Sequence, residues 1–133
     1  MAMSVEIKRP IIMLADDDIE IRRILVRALN DLDAEVLEAS DGEEALETII
    51  QRQPDLVILD VMMPTLSGWE LCKYIRSKPN LEHIAVLMLT AIGRTVNEMT
   101  SPLYGADAYM DKPFDIQEVL ETVNTLLTEK RSH

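Results

Sequence analysis

The fold is decided by one stretch, Pro54-Asp55-Leu56-Val57-Ile58-Leu59-Asp60-Val61-Met62-Met63-Pro64. Between the opening proline and Asp60 it holds a continuous apolar run that is too short for an ordinary helix. Such a run, bounded by prolines, is typical of a strand buried on both faces in a parallel sheet. Ligands of open parallel sheets bind outside the carboxyl ends of the strands, so Asp60 is predicted to lie where chemistry occurs. On its own, a strand-ending aspartate could equally cap the following turn.

Segments with strand character and segments with helical periodicity alternate along the rest of the chain. Further strands are predicted at residues 11–14, 35–39, 84–90 and 108–110. The apolar positions of the intervening helices are expected to face the sheet: Ile21, Ile24, Leu25, Ala28 and Leu29; Ala45, Leu46, Ile49 and Ile50; Leu71, Cys72 and Ile75; Ile116, Val119, Leu120, Val123 and Leu127. A weaker helix at residues 95–103 is expected to end or kink near Ser101, because Pro102 cannot donate a helical hydrogen bond.

Five strand-helix alternations predict an α/β protein with a doubly wound parallel sheet and helices on both faces. Right-handed crossovers favour the flavodoxin-like strand order 2-1-3-4-5. The switch point then lies between strands 1 and 3, which end in Asp16-Asp17 and in Asp60.

Composition limits the function. The chain has 133 residues, one domain's worth, and a formal net charge of -11, which argues against binding nucleic acid or an anionic membrane surface. A single cysteine, Cys72, excludes an internal disulfide, and no apolar run is long enough to span a bilayer. We therefore expect a cytoplasmic protein.

Domain boundaries are expected at residues 10 and 128. Residues 1–9 form an N-terminal extension, and Met1-Ala2-Met3 contains a second start. Residues 129–133 form a tail whose last three residues resemble the beginning of a histidine tag.

Three carboxylates, those of Asp16, Asp17 and Asp60, should converge at the switch point. Carboxylates so close together repel one another unless a cation joins them, and Mg²⁺ prefers carboxylate oxygens. Read alone, the run from Asp16 to Asp18 would be a helix cap with a solvated acidic turn.

Two more polar residues close neighbouring strands. Thr90 ends the fourth strand, and Lys112, followed by Pro113, comes after the fifth. A lysine there can neutralise a phosphoryl oxygen, and a cis peptide bond before Pro113 would aim it inward. Individually these are an ordinary strand residue and an ordinary loop charge.

Together these motifs resemble the receiver domain of bacterial two-component response regulators. The resemblance runs from about Pro10 to Leu127 and rests on four segments: residues 14–18, residues 54–64 with Gly68, residues 89–91, and residues 105–114. It implies that Asp60 is the phosphoacceptor. It also implies roles for the other site residues: Asp16, Asp17, Asp60 and the backbone carbonyl of Met62 bind Mg²⁺, for which Mn²⁺ can substitute; Thr90 and Lys112 contact the phosphoryl group; Thr90 and Tyr109 form the switch. Asp18 has no family role and is expected to cap a helix.

The resemblance further implies a signalling domain rather than an enzyme acting on an external substrate. Its partners would be a histidine kinase or phosphotransfer protein, and a downstream protein or output domain that reads the surface around residues 95–103, strand 5 and the last helix. We expect a monomer or weak dimer that binds neither nucleic acid nor membrane.

Three other classes fit the sequence less well. A purely structural pseudo-receiver is disfavoured because every chemical position is filled. An aspartate-nucleophile phosphatase would place a general acid two residues after Asp60, but that residue is Met62, which cannot transfer protons. A flavin or nucleotide binder would have a glycine-rich loop after strand 1, where this chain has aspartates.

Overall fold

The computed structural model describes residues 9–91 and 105–131. The strands are β1 (Ile11–Ala15), β2 (Glu35–Ala39), β3 (Leu56–Asp60), β4 (Ala85–Thr90) and β5 (Ala108–Asp111). The helices are α1 (Ile19–Leu29), α2 (Gly42–Arg52), α3 (Gly68–Ser77) and α4 (Ile116–Arg131). The last helix therefore extends beyond residue 128, where the sequence suggested that a tail would begin. The helix predicted at residues 95–103 lies outside the described residues.

All five strands form one parallel sheet in the order β2-β1-β3-β4-β5, which confirms the predicted topology. Every residue of β3 and β4 is buried, because both strands are central and covered on both faces. The edge strand β2 buries only Ala39 and carries two glutamates, Glu35 and Glu38, as an edge position allows.

Each face of the sheet carries its own apolar core. One face packs against α1 and α4, through Leu25, Leu29, Val119 and Val123 among others. The opposite face packs against α2 and α3, where Ala45, Ile49 and the free thiol Cys72 are buried. Burying each large aliphatic side chain contributes about 1.5–3 kcal/mol, so these two layers dominate the stability of the fold.

Two helices bury fewer apolar residues than their sequence periodicity predicts. Ile24 in α1 is 50% exposed and Ile50 in α2 is 48% exposed, although both fit the apolar periodicity. Each of these residues precedes or follows a fully buried neighbour, Leu25 or Ile49, which takes the central position on the helix face. A helix turns 100° per residue, so the adjacent residue is carried toward solvent.

N-terminal caps determine where the loops after the strands end and the helices begin. The carboxylate of Asp18 accepts hydrogen bonds from the N–H groups of Glu20 and Ile21, so Asp18 is the N-cap of α1, as predicted. Asp41 caps α2, and Ser67 with Glu70 forms a capping box at α3. In the described residues no helix is long and apolar enough to cross a membrane.

Candidate functional site

Asp60 lies at the carboxyl end of β3, next to the switch point, and is only 5% exposed. Its Oδ1 accepts a hydrogen bond from the N–H of Met62 at 3.1 Å. Its Oδ2 lies 3.2 Å from Nζ of Lys112. The carboxylate is thus held at the carboxyl ends of the strands, and these two contacts orient both of its oxygens.

Gly68 allows the backbone around Asp60 to be closely covered. A Cβ added to Gly68 would lie 2.6 Å from the carbonyl oxygen of Asp60, closer than real Cβ atoms approach. The N–H of Gly68 donates to the carbonyl of Val61 at 3.0 Å. The glycine therefore lets the first turn of α3 pack directly against the peptide that carries the candidate phosphoacceptor.

Asp16 is fully buried immediately after β1. Its Oδ1 accepts from the N–H of Asp18 at 2.9 Å, and its Oδ2 accepts from Nζ of Lys112 at 2.8 Å. Its own N–H donates to the carbonyl of Ala39 at the end of β2 at 3.2 Å. A carboxylate this deeply buried needs such partners to compensate for lost hydration.

Asp17 is exposed and completes the acidic group. One carboxylate oxygen from each of Asp16, Asp17 and Asp60 lies within 4.8 Å of the other two. This confirms that the three side chains converge. An all-oxygen, negatively charged donor set fits a hard divalent cation such as Mg²⁺. Met62 lies beside the group, and the use of its carbonyl as a ligand stays a prediction.

Lys112 follows β5 and reaches the acids from the opposite side of the site. Its side chain is 16% exposed, and its backbone N–H donates to the carbonyl of Thr90 at 2.8 Å. The Lys112-Pro113 peptide bond is cis, as the sequence suggested.

Thr90 is itself fully buried at the end of β4. Asp60 pairs in register with Leu89, so Thr90 lies one residue further toward the site edge.

The charges of this group are coupled. Burial, and then the charge of Asp16, raises the pKa of Asp60 above its usual range, although Lys112 and the N–H of Met62 act in the opposite direction. Burial alone would lower the pKa of Lys112, but its hydrogen bond to Asp16 and the charges of Asp16 and Asp60 outweigh burial and raise it. Lys112 therefore stays protonated, while the Asp60 carboxylate is less stable than it would be in water.

Tyr109 lies on β5 and faces the α2–α3 layer of the core. It is partly buried, and its ring centroid lies 5.9 Å from that of Trp69 in α3, with the planes tilted by 44°. A change in the position of Tyr109 would thus also change the surroundings of Trp69.

Two arginines near these elements make contacts that the sequence did not predict. Arg22 in α1 contacts the backbone of Asp16. Arg76 in α3 donates to the carbonyls of Glu82, Ile84 and Gly105 and to the carboxylate of Asp107. Most of these acceptors are backbone carbonyls, which every residue has, so the sequence carries no signal that marks them.

Comparisons with known proteins show the family to which this chain is similar. The family model described as the response regulator receiver domain matches residues 12–124. The probable transcriptional regulator ycf27 of Cyanophora paradoxa is 42% identical over 122 residues, which cover 92% of this chain and 50% of that protein. The DNA-binding dual master transcriptional regulator RpaA of a Synechocystis strain is 37% identical, over 89% of this chain and 49% of that protein. This chain thus spans about half the length of these relatives.

Among solved structures, the receiver domain of the Francisella response regulator 1452 superposes with a TM-score of 0.84 at 32% identity, covering 91% of this chain and 98% of that one.

Proposed function

Because this chain belongs to the family of response regulator receiver domains, we propose that it is a phosphoacceptor signalling domain in which Asp60 receives a phosphoryl group from a histidine kinase or phosphotransfer protein. The observation that carries this proposal is the convergence of three carboxylates with Lys112 at the carboxyl ends of the strands. Taken singly, each of these residues has an ordinary structural explanation.

In the proposed reaction an oxygen of Asp60 forms a bond to phosphorus, and the bond between phosphorus and the donor's imidazole nitrogen breaks. The electron pair of that bond returns to the imidazole, and an acyl phosphate remains on Asp60. The transferring group resembles metaphosphate, so the protein contributes mainly position and charge neutralisation. Lys112 can supply positive charge because it already lies 3.2 Å from Asp60.

Asp16, Asp17, Asp60 and the carbonyl of Met62 would hold Mg²⁺. When bound, the ion neutralises negative charge on the acids and on the phosphoryl oxygens. The carboxylate of Asp16 is already oriented before the ion binds, because it accepts hydrogen bonds from the N–H of Asp18 and from Lys112.

Thr90 and Tyr109 would convert the chemical change into a surface change. Thr90, at the end of β4, would move its hydroxyl toward the phosphoryl group. Tyr109 would then turn inward and alter the surface formed by β5, α4 and residues 95–103. A local charge that biases two arrangements is the general form of such a switch. The partner would be a downstream protein or an output domain, and the domain would work in the cytoplasm.

A phosphatase that uses Asp60 as its nucleophile is the second candidate. The residue two positions on, Met62, is 65% exposed, and its side chain has no proton to transfer. This favours a domain that retains its phosphoryl group over an enzyme that turns over phosphoesters.

The test is incubation with acetyl phosphate, with and without Mg²⁺, followed by intact mass. One phosphoryl adduct that requires Mg²⁺ and is lost in Asp60→Asn is expected. Asp55→Asn is a control at the other end of β3. Catalytic release of phosphate from a phosphoester, with no adduct, would favour the phosphatase instead.

A further inference from the structure

Arg22 links three elements around the acidic group. It lies one turn into α1, and its side chain is only 15% exposed. Its Nη1 donates to the carbonyl oxygen of Asp16 at 2.7 Å. Its Nε lies 3.5 Å from Oε1 of Glu38 in β2. The guanidinium therefore joins the end of β1 to α1 and to the edge strand.

The acceptor on Asp16 is the carbonyl of the peptide bond that leads to Asp17. A peptide unit is planar, so fixing this oxygen also fixes the N–H and the Cα of Asp17. Among the described residues, no hydrogen bond is found to the carboxylate of Asp17. The position from which that carboxylate projects is thus set by its backbone, which Arg22 holds.

Arg22 also completes the set of contacts around Asp16. The N–H of Asp16 is bonded to β2, its two carboxylate oxygens are bonded to Asp18 and Lys112, and its carbonyl is bonded to Arg22. Of these contacts, only the one from Arg22 acts on the peptide between the two acids.

We propose that Arg22 is a positioning residue that sets the Mg²⁺ affinity of the site by fixing the Asp16-Asp17 peptide. This rests on the proposed function, in which these acids hold the ion. Groups that orient metal ligands typically change metal affinity 10- to 100-fold when they are removed, and we expect a loss of about tenfold here.

The direction in which Mg²⁺ affinity changes when Arg22 is replaced distinguishes a positioning role from an effect of its charge. Arg22 is a cation beside a cation site, so its charge alone opposes Mg²⁺ binding. Removal of the charge should then tighten Mg²⁺ binding, whereas loss of positioning should weaken it. Positioning predicts the second result.

The experiment measures Mg²⁺ dissociation constants by calorimetry on the whole chain without a phosphodonor. Arg22→Met removes every donor and one charge. Arg23→Met is the matched control, because Arg23 is the exposed neighbour on the same helix and loses the same charge. We expect about tenfold weaker binding for Arg22→Met and unchanged or slightly tighter binding for Arg23→Met.

Arg22→Lys keeps the charge but cannot hold the carbonyl and Glu38 together, and it covers the case in which Arg22→Met does not fold. It should weaken binding by about threefold or more. At saturating Mg²⁺, the phosphorylation rate of either variant should return to that of the natural protein, which a general loss of fold would not allow.

The outcomes are distinguishable. If the natural protein binds Mg²⁺ and the folded Arg22 variants bind it as tightly or more tightly, the positioning role is wrong and the proposed function stands. If the natural protein binds no Mg²⁺, the proposed metal site and the role of Arg22 are both wrong.

Discussion

The ammonium group of Lys112 donates a 2.8 Å hydrogen bond to the carboxylate of Asp16, across 96 residues of sequence. The Asp16 side chain is 1% exposed and that of Lys112 is 16% exposed, so this is a largely buried ion pair. Lys112 also lies 3.2 Å from Asp60. One cation thus serves two buried carboxylates.

Replacing Lys112 by methionine should destabilise the metal-free protein. Asp16 and Asp60 would stay buried without their countercharge, and breaking such a pair costs about 3 kcal/mol or more. Added Mg²⁺ should restore part of this stability, because a ligand that binds only the folded state stabilises it. Urea unfolding in EDTA and in Mg²⁺ measures both effects. Lys73→Met, which changes an exposed lysine in α3, is the control and should behave like the natural protein.

Stability should depend on pH through Asp60. Its pKa is raised by burial and by Asp16, so the native state holds the proton more tightly than the unfolded chain. The resulting stabilisation is fully present below the ordinary value of 3.8 and is lost as pH rises through the raised pKa. Asp60→Asn lacks this titration. In EDTA, its free energy of unfolding should therefore increase relative to the natural protein from acidic to neutral pH, and parallel pH profiles would contradict this.

Trp69 should report the switch. It is the only tryptophan of the chain, and its ring lies 5.9 Å from that of Tyr109. If Tyr109 turns on phosphorylation, the fluorescence of Trp69 should change when beryllofluoride and Mg²⁺ are added. Most of this change should vanish in Tyr109→Leu and persist in Tyr74→Phe. A change of equal size in Tyr109→Leu would show that the tryptophan senses the site without Tyr109.

Self-dephosphorylation should be slow. Hydrolysis needs a water in line with the acyl phosphate, and Met62, which borders Asp60, offers a water only the weak thioether acceptor of its side chain. By the family resemblance the second bordering residue is Ile92, which lies outside the described residues. Met62→Asn should speed phosphate loss on the order of tenfold, equivalent to about 1.4 kcal/mol in the barrier. Decay is followed by intact mass in excess Mg²⁺, with Met62→Asn, Ile92→Glu as the stronger variant. Equal decay of the natural and doubly changed proteins would refute the argument.

The domain should form no stable dimer when it is activated. Asp107, an acid near β5 that could otherwise pair with a second subunit, is engaged within the chain: its Oδ2 accepts from Arg76 and from the N–H of Val86, both at 2.8 Å. Sedimentation with beryllofluoride should show a monomer or a weak dimer, and a stable activation-dependent dimer would contradict this. Asp107→Ala should instead destabilise the fold by about 1.5–3 kcal/mol, because it leaves the charged Arg76 and a backbone N–H without this acceptor.

The sequence by itself determined the class of the fold, the order of its strands and the convergence of Asp16, Asp17 and Asp60. These follow from local information: short apolar runs bounded by prolines or acids, helical periodicity between them, and the handedness of parallel crossovers. The cap at Asp18 was also predictable, because a cap acts on residues two and three positions away.

Tertiary packing decided which apolar residues are buried. Ile24 and Leu25 are adjacent and equally suited to the core, yet Ile24 is 50% exposed and Leu25 is fully buried. The width of the apolar stripe allows either rotation of the helix. The position of α1 against the sheet and α4 selects one of them.

Only the tertiary structure brought Arg22 to the carbonyl of Asp16, Gly68 to the backbone of Asp60 and Arg76 to the carbonyl of Gly105. The sequence does not mark these contacts, because their partners are backbone atoms that are the same at every residue. Which carbonyl or peptide is approached depends on the packing of helices against the sheet, and this is set by the whole core rather than by neighbours in sequence.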